Sequence, residues 1–169
     1  MNSNIFKLIV VMKFNNLREK FWELPLNELS DIEWEALCDG CGRCCLKKFI
    51  DDETEELLWT RVVCKYFDNK SGKCSCYEQR TQLVSDCLNV RELIPAHIEW
   101  MPPTCAYRLR AHDKPLFDWH PLLSKDNSAV FTCGISILGK SISEENVHPT
   151  GFLEHVIRWV DGQNYDNPK

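Results

Sequence analysis

The sequence, which is 169 residues long, has no run rich in lysine or arginine. It carries 20 Lys and Arg residues against 25 Asp and Glu residues, so its net charge at pH 7 is -5. Nonspecific binding of nucleic acid depends on a basic surface that neutralises phosphates. The charge pattern therefore argues against a nucleic acid partner.

The sequence also lacks internal repeats, low-complexity segments and any linker long enough to divide it into two domains. Hydrophobic residues make up 44% and charged residues 27%, which is typical of one soluble globular domain. There is no glycine-rich nucleotide-binding motif, no nucleophile with a recognisable partner and no other cofactor fingerprint. We therefore assign no catalytic residue, and the sequence leaves open whether the protein is an enzyme.

An apolar stretch near the N-terminus is too short to span a bilayer. This stretch, Ile5–Met12, is interrupted by Lys7, and no small-residue cleavage site follows it, as a signal peptide would require. Met12 is itself a natural translation start, so the residues before it have the features of a start-site artefact. We expect a cytoplasmic protein without a membrane partner.

Cysteine is abundant, with ten residues in the chain. Four of them lie in Cys38-Asp39-Gly40-Cys41-Gly42-Arg43-Cys44-Cys45. Thiolates at Cys-x2-Cys-x2-Cys spacing can converge on one ion or cluster, because each two-residue gap turns the chain back on itself. In a reducing cytosol, clustered cysteines more often bind metal or carry out redox chemistry than form disulfides. The segment therefore predicts a metal centre.

A helix is predicted immediately before this segment. Ser30 and Glu33 form the pattern of a capping box at its start. The helix is expected to run to about Cys38, because Gly40 then ends it. The first thiol of the segment would lie in the last helical turn, and the other three would lie on the loop that follows.

The vicinal pair Cys44 and Cys45 is the ambiguous part of this loop. Adjacent side chains diverge, so the two thiols cannot easily bind one tetrahedral ion. They could serve two centres, bridge, or leave one thiol free. The spacing also differs from the ferredoxin pattern, in which the fourth cysteine follows after three residues and precedes proline; here Leu46 follows the pair.

A hairpin is predicted further along the chain. Residues 57–67 are rich in Val, Trp and Tyr, residues 68–72 have turn composition, and a return strand follows. If the hairpin is symmetrical about the middle of the turn, Cys64 lies opposite Cys76, with Cys74 on the same face.

The second half of the chain is expected to contain a short helix, a strand and a closing helix. Residues 103–109 open at a proline and would place Cys105 in the first helical turn. Residues 130–138 resemble a strand with Cys133 packed in the core, and the apolar residues of 152–160 predict one face of a helix.

The expected fold class follows from this order of elements. It is α+β, a single small domain with terminal helices, a short antiparallel hairpin or sheet, and irregular cysteine-rich loops around a metal centre.

Nine of the cysteines are candidate metal ligands. Four thiolates satisfy one zinc ion or one [4Fe-4S] cluster, so nine thiols suffice for two centres with one spare. A buried free cysteine also behaves as a small hydrophobe, but the number of thiols favours ligation. The expected cofactor is zinc or iron, and the candidate ligands are Cys38, Cys41, Cys44, Cys45, Cys64, Cys74, Cys76, Cys87 and Cys105.

Three further features bear on such a site. The Arg80 guanidinium could offset thiolate charge and the Tyr77 hydroxyl could donate to sulfur, although the two side chains could equally stack on the surface. We expect His120 to be a packed, hydrogen-bonded histidine rather than a ligand. The acidic run 51–56 lacks the glycine and alternating oxygen ligands of a calcium loop, which favours a solvated turn.

The chain resembles the YcgN branch of the CxxCxxCC (YkgJ-like) proteins, a bacterial family described as chelating zinc or iron. The resemblance implies a soluble bacterial protein that chelates metal through its cysteines, with residues 1–20 as an N-terminal extension and 21–169 as the metal-binding domain. The activity is left open. The segments that carry the resemblance are Glu33-Trp34-Glu35-x2-Cys38-Asp39-Gly40-Cys41-Gly42-Arg43-Cys44-Cys45, Cys64, Cys74-x2-Tyr77-x2-Arg80, Asp86-Cys87, Pro103-Thr104-Cys105-Ala106-Tyr107-Arg108 and Trp119-His120-Pro121-Leu122.

Two cysteines depart from the family pattern. Family members place two residues between the Cys-x-Cys pair and the tyrosine, whereas Cys76 here directly precedes Tyr77, so either Cys74 or Cys76 is displaced. Cys133 has no counterpart in the pattern.

Three functions are compatible with these residues. The first is a metal-binding protein that holds zinc or iron through thiolates. The second is an iron-sulfur redox protein or enzyme, since a related cysteine pattern occurs in flagellin lysine methylases. The third is a thiol redox sensor that uses Cys44 and Cys45.

Overall fold

A computed structural model describes residues 17–93 and 96–160 of the chain. The apolar stretch Ile5–Met12 and the candidate translation start at Met12 lie outside the described residues. No helix in the described ranges is long and apolar enough to cross a membrane.

The first helix, α1, is Asp31–Leu37, and it begins with the predicted capping box. Glu33 N donates to Ser30 Oγ at 3.4 Å, and Ser30 N donates to Glu33 Oε2 at 2.9 Å. Cys38 is the extended residue that caps the C-terminus. The thiol therefore follows the last helical turn and does not lie within it, a correction of one residue.

The other helices in the described ranges are short. Of the α-helices among them, four are single turns, and the longest begins directly after Cys105, which is its N-cap. The predicted helix at Pro103 is thus confirmed, but it starts after Cys105, so this cysteine does not lie in its first turn. The α-helices are α2 (Arg80–Leu83), α3 (Val90–Leu93), α4 (Ala106–Ala111), α5 (Pro121–Ser124) and α6 (Ala129–Thr132).

Four strands form the main sheet, which is centred on β2. β2 pairs antiparallel with β1 and with β6, and parallel with β5. These pairings and the helices confirm the predicted α+β class. The strands are β1 (Leu46–Ile50), β2 (Leu57–Val63), β5 (Ile142–Ser143) and β6 (Val156–Ile157).

The predicted hairpin exists as a separate two-stranded ribbon of β3 (Phe67–Asp68) and β4 (Lys73–Cys74). Its register pairs Phe67 with Cys74, so the symmetry point lies half a residue beyond the predicted one. β2 also ends at Val63, and a turn precedes β3. Cys64 therefore lies outside the ribbon and not opposite Cys76, and the predicted pairing of these two residues is wrong.

Two predicted elements of the second half are replaced by others. Residues 130–138 contain the end of α6 and a turn at Gly134, whose φ of +70° reverses the chain, so they do not form a strand. Residues 149–155 form a 3-10 helix that begins at Pro149, and β6 follows it. Val156 and Ile157 are therefore apolar because they join the sheet, and the predicted closing helix is wrong.

The buried apolar residues form two main clusters on either side of the cysteine loop. The helical cluster includes Phe21, Trp34, Leu37 and Tyr107, while the sheet cluster includes Trp59, Val63, Phe67 and Ile137. A third, small cluster contains Cys41, Val130 and Ile135. The cysteine loop therefore lies where the helical and sheet layers meet.

Candidate metal centre

The loop that carries the first four cysteines is shaped by two glycines and one aspartate. Gly40 and Gly42 have φ values of +70° and +78°, a backbone region that disfavours side chains. Asp39 Oδ1 accepts a hydrogen bond from Cys41 N at 2.9 Å, and Cys45 N donates to Gly42 O at 2.9 Å. The loop is thus ordered by its own short-range contacts.

Arg43 fastens this loop to the second half of the chain. It is fully buried, its Nε donates to Ile135 O at 2.7 Å, and its Nη1 donates to Thr104 Oγ1 at 3.2 Å. The guanidinium also lies 5.6 Å from the centre of the Trp159 ring. Because Thr104 directly precedes Cys105, the contact brings that cysteine beside the loop.

A second contact joins the same regions. The Tyr107 hydroxyl donates to Trp34 O at 2.7 Å, and the two rings lie 4.7 Å apart. The C-terminus of α1 and the N-terminus of α4 are therefore neighbours, with Cys38 at one and Cys105 at the other.

Four thiols form what we call the first thiol set: Cys38, Cys41, Cys44 and Cys105. Burial is the main cause that raises the pKa of Cys41 well above its usual value, and desolvation does the same for the thiol of Cys38, although that residue is exposed as a whole; the charge of Asp39 adds to both shifts. Burial, to which the charges of Asp39 and Cys44 add, raises the pKa of Cys105 to about 12. Each of these thiols therefore lies within electrostatic range of the same carboxylate and of Cys44.

The Asp39 carboxylate is incompletely satisfied. Its Oδ2 is buried, and within 17–93 and 96–160 it has no hydrogen-bond partner. A buried carboxylate oxygen without a partner is costly unless a cation or donor compensates it. A metal ion held by the surrounding thiolates would supply that compensation.

The other cysteines form what we call the second thiol set: Cys45, Cys64, Cys74, Cys76 and Cys87. Cys64 N donates to Cys45 O at 3.1 Å, and the sulfurs of Cys74 and Cys76 lie 3.8 Å apart. Cys87 follows Asp86, whose carboxylate lies 3.4 Å from Lys47 Nζ on β1.

The thiols are near one another but do not surround a common point. Across the described ranges, no three Cys, His, Asp or Glu side chains are grouped so that they could hold a metal ion. The assignment of the nine cysteines as ligands therefore stays a prediction.

Tyr77 and Arg80 have contacts that differ from the predicted ones. The Tyr77 hydroxyl donates to Glu35 Oε2 at 2.6 Å and not to sulfur. Arg80 lies 4.0 Å over the Tyr77 ring, as in the alternative surface stack. The charge of Arg80 nevertheless lowers the pKa of Cys87, which burial raises, so a role in balancing thiolate charge remains compatible with its position.

His120 is packed and hydrogen bonded, as predicted. It is 1% exposed, its Nδ1 accepts from Leu122 N at 3.2 Å, and its Nε2 lies 3.2 Å from Leu37 O. Both ring nitrogens are engaged by protein atoms. The acidic run 51–56 is a turn in which Asp51 accepts from Thr54 N, also as predicted.

Cys133 is exposed, so the predicted packing in the core is wrong. It follows the last turn of α6, which directs Ala129 and Val130 inward. Cys133 belongs to neither the cysteine loop nor the ribbon, which makes it a suitable control for the other nine cysteines.

Sequence reasoning assigned no role to Asp39 or Arg43. The signal for Asp39 was its place two residues before Cys41, where a side-chain oxygen can accept from that backbone N–H. The signal for Arg43 was its position in the sequence, as the cationic residue between two pairs of cysteines. Its burial depends on Thr104 and Ile135, which lie 61 and 92 residues further along the chain.

Comparison with known proteins identifies similar chains in bacteria. A family model described as "Putative zinc- or iron-chelating domain" (CxxCxxCC) matches residues 37–106. A UPF0260 protein of Cellvibrio japonicus is 43% identical over 83% of this chain and 96% of its own length. One from Rhodobacter capsulatus is 44% identical over 85% of this chain and 97% of its own length. No solved structure matches the chain.

Proposed function

The chain belongs to the UPF0260 family and carries its CxxCxxCC domain, and we propose that it binds zinc or iron through the thiolates of the first thiol set. The single observation that carries this proposal is the buried Oδ2 of Asp39, which has no partner in the described ranges and belongs to a carboxylate whose charge acts to raise the pKa of all four thiols.

The donor set fits both metals of the family description. Four thiolates satisfy tetrahedral zinc or one [4Fe-4S] cluster, and soft sulfur ligands select these centres over magnesium or calcium. Cys41 packs against Val130 and Ile135, which limits the access of water to this thiol. Binding requires the sulfurs to move towards one another, since the described thiols do not surround a common point.

The loop geometry allows the sulfurs to move while the backbone stays in place. The backbone of Cys41 is already held by Asp39, and Arg43 fixes the following turn against Thr104. The remaining freedom belongs to the cysteine side chains, which can rotate without unfolding the loop. We expect metal uptake to stabilise the folded protein, because a ligand that binds only the folded state shifts the folding equilibrium.

Anaerobic purification tests the proposal directly. The protein should retain zinc or iron in a fixed ratio, measured by elemental analysis, or take it up when titrated with zinc or ferrous iron. The Cys41→Ser variant should bind less metal, whereas the Cys133→Ser variant should bind as much as the wild type. If the wild type retains no metal and takes up none, the proposal is wrong.

The same preparation separates the alternatives. A brown protein with acid-labile sulfide would be an iron-sulfur protein, as the redox alternative requires. A colourless protein with bound zinc would be a zinc protein. If thiol labelling of the metal-loaded native protein finds no accessible cysteine apart from Cys133, the hypothesis of a thiol sensor at Cys44 and Cys45 fails.

A further inference from the structure

Cys44 and Cys45 are adjacent in sequence but face different layers of the protein. Cys44 packs against the helical cluster, as does Cys105. Cys45 packs against the sheet cluster, whose members include Trp59 and Val63. The two thiols are still close enough to form a hydrogen bond with each other, which lowers the pKa of Cys44 to about 7 and raises that of Cys45. The turn Arg43–Cys45 therefore places the vicinal pair where the helical and sheet clusters meet.

The position of Cys45 is fixed by pairing with Cys64. The ladder between β1 and β2 pairs Leu46 with Val63. It continues by one residue, because Cys64 N donates to Cys45 O at 3.1 Å. Directly opposed residues of antiparallel strands share one face, with Cβ atoms about 5 Å apart. The two thiols are therefore close neighbours.

Cys74 is brought to the same place by the β3–β4 ribbon. Phe67 N donates to Cys64 O at 2.9 Å, and Phe67 pairs with Cys74 across the ribbon. The charges of Cys74 and Cys64 are among the causes that raise the pKa of Cys45. The Cys76 sulfur lies 3.8 Å from the Cys74 sulfur, and desolvation and the charges of Cys74, Cys64 and Cys87 help to raise its pKa, but Cys76 is not among the main causes that raise the pKa of Cys45.

Cys87 completes this group from another loop. The ion pair between Asp86 and Lys47 holds that loop against β1, and Lys47 is also paired with Glu144 at 2.9 Å. The pKa of Cys87 is raised mainly by burial, and the charges of Cys44, Cys74 and Cys64 contribute.

From these placements we propose that the chain has two neighbouring metal centres and that the vicinal pair contributes one thiolate to each. This inference rests on the proposed function, to which it adds a second centre. The first centre uses the first thiol set. The ligands of the second centre are Cys45, Cys64, Cys74 and Cys87, with Cys76 as the spare thiol.

The two centres adjoin, and one cation lies between them. Lys48 Nζ donates to the carbonyl oxygens of Cys44 and Leu46, both at 3.0 Å. Burial lowers its pKa, while the charges of Cys44, Cys45 and Cys87 raise it. Lys48 therefore offsets thiolate charge from both sides of the loop.

Protection of cysteines in the wild type tests this inference without any substitution. The metal-free, reduced protein is titrated with zinc, and accessible thiols are alkylated at each step and identified by mass spectrometry. Two equivalents should be bound, and the ligands of each centre should become protected together. Binding of one equivalent that protects all eight thiols at once would overturn the two-centre inference while leaving the proposed function intact.

Paired substitutions provide the second measurement. Cys44→Ser and Cys45→Ser should each lower the bound zinc from two equivalents to one, but different cysteines should lose protection in each variant. Adding Cys105→Ser to Cys44→Ser should cause little further loss, whereas adding Cys64→Ser should remove the second equivalent. Cys133→Ser should retain both.

Three other outcomes are informative. If Cys44→Ser and Cys45→Ser expose the same thiols, the division is wrong. If Cys76→Ser loses an equivalent and Cys74→Ser does not, the spare thiol is misassigned and the second centre as proposed is overturned. If the wild type binds no zinc or iron, the proposed function itself fails.

Discussion

Gly42 and Phe67 touch where the cysteine loop crosses the β3–β4 ribbon: a Cβ atom on Gly42 would lie 2.8 Å from Cε2 of Phe67. It would also lie 2.9 Å from Cγ1 of Ile137. Such distances are below van der Waals contact, so only glycine fits at this position. The loop can therefore approach the sheet cluster closely enough to place Cys45 beside Cys64.

Substitution of the two loop glycines separates this contact from backbone strain. Gly40 and Gly42 both have positive φ, so alanine should cost each about 1 kcal/mol in unfolding free energy. No described atom lies within 4 Å of a Cβ on Gly40. Gly42→Ala should lose a further ~1 to 3 kcal/mol through overpacking. Urea denaturation of both variants measures the difference, and equal losses would contradict the close approach.

Arg43 should be intolerant of lysine. The guanidinium group of Arg43 donates to both Ile135 O and Thr104 Oγ1, and the single ammonium group of lysine cannot reproduce that geometry. We expect Arg43→Lys to lower the unfolding free energy by about 2 kcal/mol, because hydrogen bonds from buried charged groups are lost.

The exposed Arg61 is the matched control for this substitution. Arg61→Lys should change the unfolding free energy by less than about 0.5 kcal/mol. If the denaturation curves of both variants shift equally, the hydrogen bonds of the buried Arg43 guanidinium do not stabilise the protein more than an exposed arginine does.

Acid should weaken the start of α1 through Glu33. Hydrogen bonds from Arg18 are the main cause that holds the pKa of Glu33 well below its ordinary value of 4.5. A carboxyl group with a lowered pKa stabilises the folded state above its unfolded pKa and loses that contribution as the pH falls. The wild type should therefore be more stable than Glu33→Gln at pH 7, and the difference should shrink below pH 4.5. A difference that stays constant down to about pH 3 would argue against the ion pair.

Two tyrosines differ in what their hydroxyls do for stability. Tyr107→Phe removes the buried hydrogen bond to Trp34 O and should cost about 1 to 2 kcal/mol. Tyr77 is 41% exposed, so Tyr77→Phe should cost less than about 0.5 kcal/mol although it loses a bond to Glu35. Thermal unfolding of both variants measures which one loses more stability. A larger loss for Tyr77→Phe than for Tyr107→Phe would show that the contact between α1 and α4 is unimportant.

Local sequence patterns predicted the elements whose determinants are close in sequence. The capping box of Ser30 and Glu33 needs only three residues, and it forms as expected. The ribbon between residues 67 and 74 also forms, but its register is set by packing and could not be fixed from turn composition alone. Val156 and Ile157 looked helical because apolar spacing does not distinguish a helix face from residues that add to a sheet.

By itself, the sequence determined that this is a cysteine-rich α+β chain of the CxxCxxCC type and that four thiols share one short loop, since spacing and turn residues act over a few residues. Only the tertiary structure decided which distant cysteines approach that loop. Arg43 and Thr104 are 61 residues apart, and Cys45 meets Cys64 only because two strands pair. Contacts of this range depend on how the helical and sheet clusters pack around the loop, which the spacing of cysteines does not encode.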